Sequence, residues 1–125
     1  METAYKQRHL FPNDYRGRAA RSIWYTSQLE ARLRNYILNI SYGVTPLEEE
    51  RYDRFFATRY MNIWNDTKKE MVELIKDSNQ VLTQPSISKV TKFYVYMILD
   101  FLNKKIADIE ELWKILSQTK KKMWG

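Results

Sequence analysis

The sequence predicts an all-α protein, with a basic N-terminal helical arm followed by a compact bundle of about four helices. Its 125 residues include only three glycines and three prolines, whereas residues that favour helices are common. Apolar residues recur at helical spacings of three and four along most of the chain. A chain of this length buries a substantial core without disulfides or metals. We therefore expect a single domain, with a basic arm and first helix (residues 1–42) followed by a helical bundle (residues 43–125).

The first part of the chain predicts an arm and then one helix or two. Residues 1–12 lack helical periodicity and end in a proline, which favours extended geometry before it. Asn13 or Asp14 can cap a first helix, and Ser27 with Glu30 offers a second capping-box start, so a bend stays possible. A core stripe at helical spacing follows. It comprises Leu29, Leu33, Ile37 and Ile40.

Three further helices are expected. Thr45 as cap with Pro46 at the first helical position predicts the start of the second, which extends to about Asp77. After the polar stretch "SNQVLTQPSIS", apolar periodicity restarts near Ile87 in a third helix, and a capping box at residues 108–111 predicts a fourth. Within the third helix the run "FYVYMIL" is apolar on every side, so it is either central in the bundle or shared with a neighbouring subunit.

The distribution of charge favours an anionic partner that binds near the N-terminus. The net charge is +6, and the segments 1–42, 43–80 and 81–125 carry +4, −2 and +4. Six of the seven cations in the first segment are arginines, and all eight in the last are lysines. Arginine suits bidentate phosphate contacts and stacking better than lysine does. We treat the "TKKKMWG" tail as a weaker candidate.

A stripe rich in arginine is predicted along one side of the first helix. It extends about 20 Å, at the helical rise of about 1.5 Å per residue. Arg16 and Arg34 lie on the other side of this helix, and only Asp14 and Glu30 are acidic between residues 13 and 34. Such cations contact phosphates without specifying sequence. The members of the stripe are Arg18, Arg21, Tyr25, Gln28 and Arg32.

Aromatic residues favour self-assembly. They make up 14% of the chain, which exceeds what one small core requires, and aromatics are enriched at subunit interfaces. Tyr15, Trp24 and Tyr25 stand among the arginines, where they either stack on bases or serve as core and interface residues. We expect Trp24 to pack.

Nothing in the sequence predicts an enzyme, a cofactor or a metal site. His9 is the only histidine, cysteine is absent, and the three glycines are isolated, so no phosphate-binding loop exists. The carboxylate pairs Glu49 with Asp53 and Glu73 with Asp77 are better explained by a helix N-terminus and a solvated face. No stretch resembles a signal peptide or is long enough to span a bilayer, which predicts a soluble or peripheral protein.

The stretch "LTQPSISKVTKF", residues 82–93, resembles the start of the recognition helix in LysR-type helix-turn-helix regulators. This resemblance implies that the polar side chains of the stretch read bases in a major groove. The upstream "IKDSNQV" lacks the apolar helix that such a motif needs, so a plain helix start is favoured. The base-reading residues would be Gln84, Ser86, Ser88, Lys89 and Lys92.

An arginine-bearing N-terminal arm and helix before an aromatic-rich, cysteine-free bundle resembles the major coat proteins of filamentous archaeal viruses, the rudivirus and lipothrixvirus group. The similarity is architectural and covers nearly the whole chain. It implies a virion protein whose arm wraps double-stranded DNA in an A-like form, while the bundle packs outward and the lysine tail lies away from DNA. The phosphate-neutralising residues would be Lys6, Arg8, Arg16, Arg18, Arg21, Arg32 and Arg34.

The resemblance also implies assembly with itself or with a paralogous coat protein, in some members inside a lipid envelope, and no small-molecule substrate. We expect a structural nucleoprotein that binds duplexes without sequence preference. The alternatives are a dimeric helix-turn-helix regulator that prefers one operator, and an interaction module whose basic arm is incidental.

Overall fold

The chain is seen in a computed structural model that describes residues 8–12, 14–42 and 46–124, with side chains for residues 9–12, 14–42 and 59–122. The described residues form three α-helices: α1 (Tyr15–Ser41), α2 (Pro46–Leu82) and α3 (Lys89–Trp124). A short 3-10 helix, Arg8–Leu10, precedes them. The described part contains no strand, so the all-α prediction is confirmed. None of its helices is apolar over enough length to cross a membrane.

The three helices lie side by side as a bundle. Arg18 of α1 contacts Asp77 near the end of α2, whereas Arg32 contacts Tyr60 nearer its start, so α1 and α2 are antiparallel. Arg16 of α1 lies against Tyr94 near the start of α3, whereas Glu30 contacts Lys105 further along it, so α1 and α3 are parallel. All three helices contribute to one core. Its members with almost no exposed surface include Leu33, Met71, Leu74, Leu102 and Ile109.

The buried side of α1 follows a strict alternation of four and three residues, which is the heptad spacing of packed helices. Leu29, Leu33 and Ile40 were predicted there, but Tyr36 is buried where Ile37 was expected, and Ile37 is only partly buried. The buried side of α1 also contains small polar residues. Thr26 donates a hydrogen bond to the Ser22 carbonyl, which satisfies its hydroxyl inside the core.

The first helix is continuous from Tyr15 to Ser41, so a second helix does not start at Ser27. Asp14 occupies the N-cap position in a left-handed conformation (φ 53°), but its side chain makes no capping hydrogen bond. Asn13 and Thr45 lie outside the described residues. Helix α2 begins at Pro46 as predicted, and it extends to Leu82 rather than to about Asp77.

The segment before α1 is not a free arm over the residues that are described. The Phe11 ring stacks on Tyr15 at 4.9 Å between centroids and meets Tyr94 edge-on at 5.9 Å. Leu10 and Phe11 also pack against a small core cluster of Val81, Val95 and Leu99. Leu10 and Phe11 therefore pack against one end of the bundle, and α1 belongs to the same core as α2 and α3.

The predicted fourth helix is wrong, because α3 is continuous through Asp108 and Glu111. It starts at Lys89, where the Ser88 hydroxyl accepts a hydrogen bond from the Thr91 backbone N–H as an N-cap does. No glycine or proline interrupts it, and Leu102, Ile109 and Leu116 continue the buried side at seven-residue intervals. A capping-box pattern does not end a helix whose backbone and packing both continue.

Candidate nucleic-acid interface

The predicted stripe of α1 lies along the side that faces α2. Its first member, Arg18, donates to Glu70 at 2.6 Å and to Asp77 at 2.9 Å, and only 18% of its side chain is exposed. The hydrogen bond to Glu70 raises the pKa of Arg18 above its usual value, with a further contribution from Asp77. Arg18 therefore ties α1 to α2, and its charge is already neutralised by two carboxylates.

The other arginines of α1 differ in what they contact. Arg21 lies at the surface and pairs with Asp14 at 2.8 Å. The Arg16 guanidinium lies 5.3 Å from the centre of the Tyr94 ring of α3, a cation–π distance. Arg34 pairs with Glu30 at 3.0 Å. Of the remaining predicted residues, Lys6 lies outside the described residues and Arg8 lies in the 3-10 helix, with its side chain outside them.

A groove between α1 and α2 brings cations and aromatic rings together. We call it the α1–α2 groove. Among the described residues that line it, none is acidic and two are arginines. A neighbouring depression shares Tyr25 and Ile63 with it and contains Arg21, but also Asp66 and Glu70. Of these two adjacent depressions between α1 and α2, the α1–α2 groove is therefore the basic one. It is lined by Trp24, Tyr25, Gln28, Leu29, Arg32, Arg59, Tyr60 and Ile63.

Tyr60 contacts both arginines of the groove, Arg32 and Arg59. Its hydroxyl accepts a hydrogen bond from Arg32 at 2.9 Å, and the guanidinium carbons of Arg32 and Arg59 lie 5.8 and 5.9 Å from the centre of its ring. Two positive charges are thus held at opposite walls of one groove. The Arg32 guanidinium carries four more N–H groups, which suit phosphate oxygens.

Trp24 is 59% exposed at the rim of the groove, so it does not pack in the core, and packing at a subunit interface stays a prediction. It meets Tyr25, which is also exposed, with the rings nearly perpendicular and their centroids 5.1 Å apart. Exposed aromatic rings beside arginines provide stacking surfaces for bases. Tyr15, in contrast, is a core residue whose hydroxyl shares a hydrogen bond with that of Ser78, and burial raises the pKa of its phenol.

Arg59 and Tyr60 were missed by the sequence prediction. They lie on α2 in the segment of negative net charge, about 30 residues from the stripe, and only the antiparallel packing of α1 and α2 brings them to Arg32. The available signal in the sequence was an arginine next to a tyrosine, at positions 59 and 60. The sequence did not show that Arg32 would lie across the groove from them.

Glu30 joins α1 to α3 through Lys105 at 2.9 Å, and 14% of its side chain is exposed. Burial raises the pKa of this carboxyl, but the hydrogen bonds and charges of Lys105 and Arg34 outweigh it, so the pKa lies below its usual value. The charged form is favoured in the folded state. The stabilisation is therefore fully present above the unfolded-state pKa of about 4.3 and is lost as pH falls through the lower folded-state pKa.

We expect Glu30→Gln to reduce the free energy of unfolding at pH 7 and to flatten its decline below about pH 4 to 5. Urea denaturation followed by circular dichroism at several pH values measures both effects. Glu73→Gln, at an exposed position of α2, is the matched control and is expected to leave the profile near that of wild type. Parallel profiles for wild type and Glu30→Gln would contradict the assigned contribution.

The histidine and carboxylate side chains that the sequence offered as catalytic or metal-binding candidates do not form a common site among the described side chains. His9 is exposed, Glu73 is exposed, and Asp77 binds Arg18. The side chains of Glu49 and Asp53 lie outside the described ones. Within the part of the chain whose side chains are described, no three histidine or acidic residues are grouped as a metal site would require.

The geometry around residues 82–93 does not favour base reading by a helix-turn-helix. Such motifs cross two helices at about 90–120° after a turn of three or four residues. Here six residues separate α2 from α3, and the two helices then pack along each other, as the ion pair between Lys68 and Glu110 far from the turn requires. Lys89 and Lys92 are exposed, but they lie at the start of a 36-residue helix.

Comparisons of the chain with protein-family models, with curated proteins and with solved structures found no match.

Proposed function

We propose that this chain is a structural nucleoprotein that binds nucleic acid through its phosphate backbone, without sequence preference, at the α1–α2 groove. The observation that carries the proposal is the pair Arg32 and Arg59, held at opposite walls of a groove by Tyr60 with Trp24 and Tyr25 at its rim. Arginine with aromatic rings is the usual chemistry of sequence-tolerant nucleic-acid binding. The basic net charge further favours a polyanion.

The finer proposal is a coat protein that packages double-stranded DNA in a helical filament, as in the viral group that the chain resembles. Two arginines per chain make a weak site, but repetition along a polymer multiplies weak contacts into stable binding. Such contacts fix position on the duplex without reading bases. The exposed aromatic residues Phe93 and Tyr96 on α3 supply a surface for contacts between copies. The packaging role places the protein in the virion, with a paralogue or envelope lipid as further possible partners.

The experiment mixes purified protein with two linear duplexes of unrelated sequence and different length, at low and at physiological salt. We expect binding to both duplexes, and negative-stain microscopy should reveal ordered polymers whose length follows that of the DNA. A single-stranded DNA of equal length serves as a comparison, because stacking on Trp24 and Tyr25 alone would favour it.

The alternatives give different results. Preference for one sequence by a discrete dimer would contradict packaging and support a regulator. Absence of any complex at low salt would contradict nucleic-acid binding and leave an interaction module.

A further inference from the structure

The N-terminal half of α3 has an apolar face that points away from the core. Val95, Leu99 and Leu102 are buried on one side of this helix. On the opposite side, Phe93 is 67% exposed and Tyr96 is 54% exposed. The sequence left open whether this region was central in the bundle or shared with a neighbouring subunit. The structure places half of it in the core and leaves the other half uncovered among the described residues.

The exposed residues on this face follow the alternation of four, three and four residues that packed helices use. We call the row formed by Lys89, Phe93, Tyr96 and Asp100 the α3 seam. Its middle is aromatic, one end is positive and the other end is negative. Over 12 residues it extends about 17 Å, at about 1.5 Å per residue.

We propose that the α3 seam pairs with the α3 seam of a second copy of this chain, antiparallel, about a two-fold axis between residues 94 and 95. In this register Phe93 lies opposite Tyr96 of the second copy, and Lys89 lies opposite Asp100 of the second copy. Each contact occurs twice, as an isologous interface requires. The seam is therefore complementary to itself, because aromatic side chains meet aromatic side chains and opposite charges meet each other.

The flanking residues fit the same register. Val90 and Met97 are both exposed on one edge of the seam, and in antiparallel helix pairs residues of the same edge meet across the interface. Val90 then lies near Met97 of the second copy, so the four large apolar residues that α3 exposes in this half are all covered. A parallel arrangement would instead place Lys89 near Lys89 and Asp100 near Asp100, which is repulsive.

The dimer belongs to the assembly half of the proposed function and rests on it, whereas DNA binding through the α1–α2 groove uses other residues. The groove lies between α1 and α2, and the α3 seam lies on the side of α3 away from both. A dimer of this kind presents two grooves to one nucleic acid, which strengthens binding through repetition.

Charge exchange tests the register. Sedimentation-velocity measurements on the full chain over a range of concentrations give the dimer dissociation constant. Lys89→Glu alone and Asp100→Lys alone each place like charges opposite one another, and we expect each to weaken dimerisation by about tenfold or more. The double variant Lys89→Glu with Asp100→Lys restores opposite charges and is expected to return the constant to within about threefold of wild type.

Cysteine cross-linking tests the direction of pairing, since the chain has no cysteine of its own. Val90→Cys and Met97→Cys variants carrying tags of different size are mixed and oxidised. Antiparallel pairing brings these two positions together. Two copies of position 90 instead lie nine residues, or about 13 Å, apart along the seam, and two copies of position 97 lie five residues, or about 7.5 Å, apart, both beyond disulfide reach. We expect the mixed disulfide to dominate over both homodimeric disulfides.

Three results would overturn the α3 dimer: a monomeric wild-type chain at all accessible concentrations, a double charge exchange that fails to restore dimerisation, or homodimeric disulfides at least as abundant as the mixed one. Duplex binding measured on the same variants separates the two proposals. Dimerisation without DNA binding would contradict the proposed nucleic-acid function alone, and DNA binding by a monomer would contradict the seam alone.

Discussion

Reversal of the two groove arginines, Arg32→Glu with Arg59→Glu, is expected to weaken duplex binding by about 100-fold at low salt, because it replaces two phosphate contacts with two repulsive charges. The bundle should remain folded, since Arg59 is exposed and Arg32 makes an exposed hydrogen bond to Tyr60. Fluorescence anisotropy with a labelled duplex gives the affinity, and circular dichroism checks the helical content.

The matched control changes the net charge equally but elsewhere. Lys104→Glu with Lys114→Glu alters two exposed cations of α3 and lowers the net charge by the same four units. We expect it to reduce affinity only a few-fold, through the weaker overall field. Equal losses for the two double variants would show that net charge alone drives binding, which contradicts a site at the α1–α2 groove.

Arg18→Ala is expected to lower the free energy of unfolding by about 2 kcal/mol, because charge-assisted hydrogen bonds to Glu70 and Asp77 are lost and the two carboxylates then repel each other. Arg18→Lys should recover only part of this loss, since lysine lacks the planar fork that reaches two carboxylates at once. Urea denaturation of the full chain gives the values.

Arg21→Ala is the control for this effect, because Arg21 comes from the same predicted stripe but forms an exposed pair with Asp14. Exposed pairs contribute little, so we expect a change below about 0.5 kcal/mol. Duplex affinity of Arg18→Ala, measured where the variant is fully folded, should stay within a few-fold of wild type. Equal destabilisation by the two substitutions would contradict a structural role for Arg18.

The sequence predicted the helical class and the start of α2 because these depend on local signals. Proline at a first helical position after a polar cap is such a signal, and Pro46 begins α2. The same reasoning failed at Asp108, because a capping box is compatible with a helix interior when no glycine or proline follows. A local pattern permits a helix start, but tertiary packing decides whether the preceding helix has ended.

The candidate site was less predictable, because arginine has the same appearance in a sequence whether it binds a phosphate or a neighbouring helix. Arg18 and Arg32 share one stripe of α1, yet two acidic residues of α2 lie beside the former and an aromatic ring lies beside the latter. Ser22 and Thr26 were also missed as core positions, because their polar groups obscured a regular heptad spacing that packing makes visible, and Tyr15 was left open between stacking on bases and packing.

The most direct test of the central claim is the dependence of duplex affinity on salt, measured with two unrelated sequences for wild type and for the Arg32→Glu, Arg59→Glu variant. We expect wild type to bind both duplexes within about threefold of each other, and we expect the slope of log affinity against log salt to fall by about two in the variant, since each lost phosphate contact contributes about 0.9. A preference of about 1,000-fold for one duplex, or an unchanged slope in the variant, would contradict sequence-independent phosphate binding at the α1–α2 groove.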